Sequence, residues 1–414
     1  MKNLLLKIAL VWVILLGLTA CGGGSLTAPA QPPPPKKWSV KPTGSLIHAR
    51  MQHTATLLAN GKVLIIGGVG AMPELSIFSQ AIPLAELYDP ATQTFTPAGT
   101  LNYPRAAHCS VLLPNGKVIV FGGASVGASL PLNNVEEWDP ATMSFSIIGG
   151  LQNEHLSGQA FFRQDGKIEV VGGYNSEVPI TLDDFKTEIL DPETGTSSYD
   201  FSLTDVEDNS TLIPVDGSHF MLLGGENGMG SWHQLDSAVL YDTDATAQNP
   251  VKNWTMPYWF TEGQGIKLTD GRVCVTGGES FLMPVGINSD FGIMGVATII
   301  DPSLIRPNFT IINLSKGRVR HQVVLFPDGA IGLIGGETYS ASIASTYLSD
   351  IEVVDPVNQT ASLLPVSLQT ARSLHTVTPL QDGSYLVVGG VTYAIFPTGA
   401  ATVQVGSCEL LYLK

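Results

Sequence analysis

The sequence predicts an all-β protein built from seven copies of one four-stranded unit. The prediction rests on composition and on a motif that recurs about every fifty residues. The 414 residues include 44 glycines and 27 prolines, and only 14% of them are charged. So many turn formers among apolar runs are typical of short strands joined by tight turns. They argue against coiled coils, helical bundles and disorder.

The recurring motif is a diglycine at the end of an apolar run. The spacings between successive first glycines are 55, 50, 52, 53, 58 and 54 residues, which indicates a repeat architecture. The copies are Gly67-Gly68, Gly122-Gly123, Gly172-Gly173, Gly224-Gly225, Gly277-Gly278, Gly335-Gly336 and Gly389-Gly390. A turn dipeptide ends six residues before each first glycine, or seven in the fourth copy. Because Asn-Gly and Asp-Gly both tolerate positive φ, each copy predicts a hairpin between its first two strands.

The rest of each unit supplies two more strands. A third strand ends at an aspartate, as at Asp89 and Asp139, and a fourth follows with an aromatic residue, as at Phe95 and Phe145. Units of this kind resemble kelch repeats, and the resemblance covers the chain from Trp38 to Lys414. It implies a seven-bladed β-propeller, similar to the central propeller of the galactose oxidase-like proteins.

The two ends of the repeat region predict how the ring closes. The last repeat stops after its third strand, at Leu410-Leu411-Tyr412, while the region begins with an unassigned stretch, Trp38-Ser39-Val40, that matches a fourth strand. We therefore expect the N-terminal strand to join the last blade. Such closure leaves no open sheet edge.

The N-terminus resembles a bacterial lipoprotein signal. Two lysines precede an apolar run from Ile8 to Leu18, and Leu18-Thr19-Ala20-Cys21 follows, similar to a lipobox. The resemblance implies cleavage before Cys21 and lipidation of that cysteine. An ordinary secretory leader is the alternative. We expect a signal peptide at 1–20, a Gly/Pro-rich tether at 21–37 and the propeller at 38–414, exported and anchored in the cell envelope, with outer-membrane sorting.

The loops between second and third strands are long, whereas the hairpin turns are short, so one face is predicted to carry function. Four repeats place an arginine three residues before a histidine where the innermost strand reaches this face. They are Arg50 and His53, Arg105 and His108, Arg318 and His321, and Arg372 and His375. As a basic crescent at the channel mouth they would clamp a carboxylate or sugar acid. Alternatively, they belong to the repeat consensus and bond neighbouring loops.

The fifth repeat departs from this pattern. In Trp254-Thr255-Met256-Pro257-Tyr258-Trp259-Phe260-Thr261-Glu262, aromatic residues and an acid stand where other repeats carry arginine and histidine. Tyr258, Trp259 and Glu262 are candidates for contact with a sugar or a peptide side chain. No metal site is expected, because histidines on separate blades start on the order of 10 Å apart.

Charge and motifs limit the function further. A net charge of −15 repels phosphate backbones, so nucleic acid is not an expected partner. Membrane contact is expected only through the lipid on Cys21. Beyond that residue there are three cysteines, an odd number with no CxxC spacing, so neither a disulfide framework nor a zinc site is indicated; they are Cys109, Cys274 and Cys408. A single bridge in an oxidising compartment is the alternative.

These observations favour a monomeric binding module without a cofactor, which engages a glycan or protein through its long-loop face. The alternative is a carbohydrate-active enzyme of mutarotase or lyase type, acting on a sugar or sugar acid at the channel mouth with Glu262 and Arg318 or Arg372. Galactose oxidase-like enzymes use copper, tyrosines and histidines, but this chain lacks a matching Tyr-His pair. Copper oxidase activity is therefore not favoured, and no catalytic residue is assigned.

Overall fold

A computed structural model describes residues 37–413 except 71–79, 126–131, 174–185, 204–208, 228–232, 245–249, 281–288, 291, 307, 340–344 and 397–398. The described residues form strands, turns and loops, with no α-helix among them. None of these residues lies in a helix that is long and apolar enough to span a membrane. The expected signal peptide, Cys21 and the tether up to residue 36 lie outside the described residues.

Seven four-stranded antiparallel sheets, here sheets 1 to 7, account for most strands in this part of the chain. The first strands are Thr54–Leu57, Cys109–Leu112, Gln159–Phe162, Thr211–Pro214, Gln264–Lys267, Gln322–Leu325 and Thr376–Pro379. The second strands are Val63–Ile66, Val118–Phe121, Ile168–Val171, His219–Leu223, Val273–Thr276, Ile331–Ile334 and Tyr385–Val388.

The two outer strands of each sheet follow in the same order. The third strands are Leu84–Asp89, Asn134–Asp139, Lys186–Leu190, Ser237–Asp242, Val296–Ile300, Asp350–Asp355 and Glu409–Leu413. The fourth strands are Thr94–Thr100, Ser144–Gly150, Ser197–Ser202, Lys252–Thr255, Thr310–Asn313, Thr360–Ser367 and, in sheet 7, Trp38–Pro42. The N-terminal strand therefore pairs with the C-terminal one, with Trp38 opposite Leu413 and Pro42 opposite Glu409.

Further strands lie in the connections outside the seven sheets, most of them after a diglycine. They are Arg50–Met51 with Val69–Gly70 and Gln80–Ala81, Glu226–Asn227 with His233–Gln234, Ser289–Asp290 with Ile293–Met294, Glu337–Tyr339 with Ser345–Tyr347, and Val391–Phe396 with Gly399–Gln404. Residues just after a diglycine pair with residues just before the first strand of the same sheet, as Glu279 does with Thr261. The long-loop face and the start of the innermost strands therefore coincide.

The hairpin turns form where the sequence predicts them, but the chemistry differs from the expectation. In the first turn Gly61 has φ of 82°, whereas Asn60 is not among the residues with positive φ. The Asn60 side chain instead accepts a hydrogen bond from the backbone N–H of Lys62. Asp382 makes the same contact with the N–H of Ser384 in sheet 7. The Asn or Asp is thus selected as a side-chain acceptor, and the glycine supplies the left-handed backbone in six of the seven turns, all but that of Gly217.

Apolar residues pack between neighbouring sheets. Each described core cluster combines two sheets that are consecutive in the chain, except one that joins sheet 7 to sheet 1. In that cluster Leu386 and Val388 pack with Val63 and Ile65. Each first strand also contacts the first strand of the next sheet, and that of sheet 7 contacts that of sheet 1. The contacts between first strands thus run from sheet 1 through to sheet 7 and from sheet 7 to sheet 1.

Candidate functional site

The four arginines of the predicted basic crescent are buried within the sheets. Each Nη2 donates to a third-strand glutamate of its own sheet at 2.6 to 2.9 Å. Each Nη1 donates to the carbonyl oxygen of the first glycine of its diglycine. The pairs are Arg50 with Glu86, Arg105 with Glu136, Arg318 with Glu352, and Arg372 with Glu409. These guanidinium groups expose no surface for a ligand, which favours the structural interpretation.

The four histidines lie at the interfaces between neighbouring sheets. The His53 Nε2 lies 3.0 Å from Oγ1 of Thr376 in sheet 7, and the His108 Nε2 lies 3.1 Å from Oγ1 of Thr54 in sheet 1. Burial, with a contribution from the neighbouring arginine, lowers the pKa of His53 and of His375 to about 3. The same causes hold the pKa of His321 well below its usual value. These rings are therefore neutral at pH 7.

Sheets 3 to 5 replace this network by other contacts. In sheet 3 His155 takes the place of the arginine: its Nε2 lies 3.0 Å from Glu188, and its Nδ1 lies 2.6 Å from the carbonyl oxygen of Gly172. In sheet 5 a threonine, Thr298, stands at the glutamate position, and the Tyr258 hydroxyl bonds to it at 2.5 Å. The third-strand glutamate thus occurs in the sheets that carry the buried arginine and in sheet 3, where it pairs with His155.

The sequence itself carries this correlation between the arginine and the glutamate. In three of the four repeats with the arginine, a glutamate stands three residues before the aspartate that ends the third strand, as Glu86 does before Asp89 and Glu352 before Asp355. In the last repeat Glu409 stands three residues before Tyr412. In four sheets the ladder shifts register next to this glutamate. Such a bulge re-aims a side chain that would otherwise follow the strict alternation of the strand.

The three candidates of the fifth repeat have different environments. Tyr258 lies in the apolar core between sheets 4 and 5, where burial raises its pKa. Trp259 is 38% exposed. Glu262 lines a cavity at the centre of the molecule. Of the three, Trp259 and Glu262 remain accessible to a ligand.

The central cavity has a volume of about 400 Å³ and is bounded by residues from six sheets. Its polar lining consists of amides, hydroxyls, one imidazole, one carboxylate and one guanidinium. They are contributed by Gln52, Ser157, Gln159, Asn209, Ser210, Glu262, Gln264, Arg320, His321 and Gln322. It lies at the start of the first strands, and therefore at the long-loop face. We call this feature the central cavity below.

A ring of left-handed residues shapes the wall of the central cavity. One residue per sheet, just before the first strand, has φ between 52° and 59°; they are Gln52, Ala107, Ser157, Asn209, Glu262, Arg320 and Leu374. Several are joined in series, since the N–H of Ala107 donates to Gln52 and the N–H of Gln52 donates to Leu374. Because this backbone geometry recurs in all seven sheets, it is architectural. The side chains placed on it decide what the cavity binds.

Charged side chains occupy this ring at two adjacent sheets only. The Arg320 Nε and Nη2 donate to both oxygens of Glu262 at 2.8 and 3.1 Å, and its Nη1 donates to Glu337 at 2.8 Å. Burial alone lowers the pKa of Arg320, but the bonds and charges of Glu262 and Glu337 outweigh it and raise the pKa overall. Arg320 is thus a permanent cation in the wall of the central cavity.

Arg320 was absent from the residues singled out in the sequence. It stands within Arg318-Val319-Arg320-His321, where the consensus pair drew attention to Arg318 and His321. The left-handed position that precedes each consensus histidine carries no charge in the other arginine-containing repeats. A comparison of the repeats at that position would have identified Arg320.

Two observations concern metal ligands and thiols in the described part of the chain. No group of three or more His, Cys, Asp or Glu residues there is arranged to hold a metal ion. Cys109, Cys274 and Cys408 are free thiols, and burial raises the pKa of each to about 12. Thiolate chemistry at neutral pH is accordingly disfavoured.

Comparison with known proteins places the fold. The "Structure of YjhT" superposes with a TM-score of 0.53 at 15% identity, covering 77% of this chain and 99% of that one. A fungal alcohol oxidase of the AA5 family, in complex with copper, gives a TM-score of 0.60 at 14% identity, covering 91% of this chain and 76% of the oxidase. The fold is of the β-propeller type. At these identities the similarity extends to the fold alone. No protein-family model and no curated protein sequence matches the chain.

Proposed function

We propose that this chain is an exported, lipid-anchored kelch propeller that binds a ligand in the central cavity on its long-loop face. The observation that carries the binding role is the central cavity itself. It is a concave site of about 400 Å³ with convergent amide, hydroxyl and charged groups. Ligand sites are typically concave and carry a few well-placed polar groups.

The proposal takes sheets 1 to 7 as the seven blades of a closed ring. The pairing of Trp38 with Leu413 supports closure through the last sheet. The apolar cluster between sheets 7 and 1 supports it independently. Export and lipidation at Cys21 rest on the sequence of the first 21 residues, whose last four resemble a lipobox. On this proposal the tether holds the propeller off a membrane, and we assign it to the outer membrane.

The placement of charges within the cavity supports binding there and not at the crescent. Arg50, Arg105, Arg318 and Arg372 are buried against glutamates, whereas Arg320 and Glu262 are in part exposed in the cavity wall. Their bidentate pair presents a donor and an acceptor in fixed positions, since two parallel bonds restrict both side chains. A ligand would be oriented by these two groups and by the surrounding amides.

The test is calorimetric titration of the full-length protein with a panel of neutral, acidic and amino oligosaccharides and short peptides. We expect a saturable 1:1 interaction that Glu262→Gln and Arg320→Gln weaken at least tenfold. The control is Arg272→Gln, because Arg272 pairs with Asp270 on an exposed turn remote from the cavity. If both cavity variants bind every ligand as the wild type does, the site lies elsewhere.

A carbohydrate-active enzyme is the second candidate, favoured by one observation. Glu262 lies beside Arg320 in the cavity, so a carboxylate able to accept a proton faces a fixed cation that would stabilise developing negative charge. Incubating each bound sugar with the protein and following its anomeric ratio and chain length by NMR tests this role. Turnover abolished by Glu262→Gln supports an enzyme. If every bound sugar stays unchanged, the protein acts as a binding module and not as an enzyme.

A further inference from the structure

The surroundings of the central cavity carry more negative than positive charge. Three glutamates stand directly after the diglycines of sheets 4, 5 and 6, and Glu262 lies among them; the three are Glu226, Glu279 and Glu337. Glu262 and Glu337 share Arg320. Arg320 is the one permanent cation among the residues that line the cavity. An anionic ligand would therefore meet an excess of carboxylates.

The excess of negative charge also affects the pKa of the two glutamates that do not bond to Arg320, Glu226 and Glu279. Burial, together with the charges of Glu262 and Glu337, raises the pKa of Glu279. Burial, with the charges of Glu262 and Glu279, raises the pKa of Glu226. A cation placed among these carboxylates would relieve their mutual repulsion, whereas an anion would increase it.

The wall of the cavity also includes one of the consensus histidines, His321. His321 lines the cavity and is fully buried. The Thr276 hydroxyl donates to the carbonyl oxygen of Gln264, so its oxygen accepts from the Nε2–H of His321 at 2.8 Å. The His321 Nδ1 consequently carries a lone pair, and no described residue bonds to it. The Nδ1 atoms of His53, His108 and His375 likewise have no described partner, so this feature belongs to the consensus histidine of the repeat and not to the cavity alone.

Aromatic side chains flank the same charges. Tyr347 and Tyr393 are in contact, with ring centroids 5.0 Å apart, and Tyr393 is 42% exposed. Tyr347 pairs with Glu337 in its hairpin and lies within electrostatic range of Arg320. We call Tyr347 and Tyr393 the tyrosine pair. Exposed aromatic rings beside polar groups suit the apolar faces of sugar rings.

We propose that the central cavity and the tyrosine pair together bind a saccharide bearing free amino groups. An ammonium group lies among Glu262, Glu279 and Glu337, and a neighbouring sugar ring stacks on Tyr393. The inference rests on the proposed binding function and specifies its ligand class. The cavity and the aromatic surface define the site, and charge complementarity selects the amino form over neutral or acidic sugars.

Three oligosaccharides of equal length distinguish the charge classes. Chitosan tetrasaccharide carries free amines, chitin tetrasaccharide has the same backbone with the amines acetylated, and tetragalacturonate is anionic. In calorimetry of the full-length protein at pH 6, we expect 1:1 binding of the chitosan oligomer at least tenfold tighter than the chitin oligomer, and no binding of tetragalacturonate.

Variants separate the site from non-specific attraction to an acidic protein. Glu279→Gln and Glu337→Gln should each weaken chitosan binding about tenfold, and Tyr393→Ala, which changes an exposed residue, should weaken it without unfolding. Glu193→Gln, which removes one exposed charge from an Asp-Pro turn, should have no effect. Tighter binding of either other oligomer through Glu262 would overturn the amino preference and keep the proposed function. Binding of none of the three, or equal loss in Glu193→Gln, would overturn the inference.

Discussion

At the scale of single residues, buried ion pairs dominate the interior. Arg372 donates to Glu409 at 2.7 Å and to the carbonyl oxygens of Gly389 and Ser407, so one guanidinium links the second and third strands of sheet 7. Glu409 also accepts the backbone N–H of Gln369, which lies in the connection from sheet 6. Because both charges are removed from water, each depends on the other.

Replacing one partner should therefore destabilise the fold strongly. Arg372→Met leaves the Glu409 carboxylate buried without its cation, and we expect a loss of about 3 to 5 kcal/mol in the free energy of unfolding by urea. The same change at Arg272, whose pair with Asp270 is exposed, should cost less than about 1 kcal/mol. Similar losses for both would show that the buried pair has no special role.

The buried histidines predict how stability depends on pH. The pKa of His53 and of His375 is about 3 in the native state, against about 6.5 in an unfolded chain. Between these values the unfolded chain binds protons that the native state does not, so stability is fully present above pH 6.5 and falls as the pH is lowered toward 3. Each histidine contributes a slope of about 1.4 kcal/mol per pH unit.

Urea titrations of the wild type and of His375→Gln from pH 4 to 7 measure that slope. The variant should lose about 1.4 kcal/mol per pH unit less than the wild type as the pH falls. Burial raises the pKa of Glu169 to about 7, which contributes with the opposite sign between pH 4.5 and 7. That contribution is common to both proteins and cancels in the difference. Parallel curves would contradict the assignment of His375.

At the scale of the element, the diglycine of one sheet packs against the arginine and histidine of the next sheet and against the histidine of its own sheet. A Cβ on Gly389 would lie 2.5 Å from the carbonyl oxygen of Arg50 and 2.7 Å from Cε1 of His53, both belonging to sheet 1. A Cβ on Gly390 would lie 2.9 Å from Cβ of His375 in its own sheet. The motif recurs with the arginine and histidine because the next sheet packs directly on its backbone.

Two alanine substitutions in sheet 7 isolate this close approach. Gly383 and Gly389 both have positive φ, at 82° and 64°, so each alanine costs roughly 1 to 2 kcal/mol through the backbone. A Cβ on Gly383 meets nothing within 4 Å, whereas one on Gly389 overlaps sheet 1. In thermal and urea unfolding, Gly389→Ala should cost about 2 kcal/mol more than Gly383→Ala. If both substitutions lower the free energy of unfolding equally, the backbone conformation alone explains the loss and the close approach of the next sheet contributes nothing.

At the scale of the whole molecule, repetition made the fold predictable. Turn dipeptides, diglycines and terminal aspartates are local signals, and their period placed the strands correctly. The contacts of Arg318 with Glu352, and of Arg320 with Glu262, join residues more than thirty positions apart. Which arginine is buried and which faces the cavity depends on a bulge in a third strand and on a left-handed residue that precedes a first strand. Neither follows from residue type alone, so the candidate site was only partly predicted.

The N-terminal strand provides the test of ring closure. Trp38 packs on Phe326 of sheet 6 with ring centroids 4.5 Å apart, while the strand pairs with Glu409–Leu413 of sheet 7. Deleting Trp38–Pro42 removes both contacts and exposes the edge of sheet 7. At about 2 kcal/mol for each of the apolar side chains of Trp38 and Val40, the loss should reach roughly 4 kcal/mol.

We expect the deletion to lower the Tm by roughly 5 °C or more in calorimetry and to promote aggregation through the free edge. Trp38→Ala, which keeps the strand and removes only the ring contact, should give a smaller decrease and no aggregation. A synthetic peptide spanning residues 36–43 should restore the Tm of the deleted protein in a concentration-dependent manner, because it binds the native state alone. An unchanged transition after deletion would mean that the last sheet is stable with three strands, and ring closure by the N-terminus would have to be abandoned.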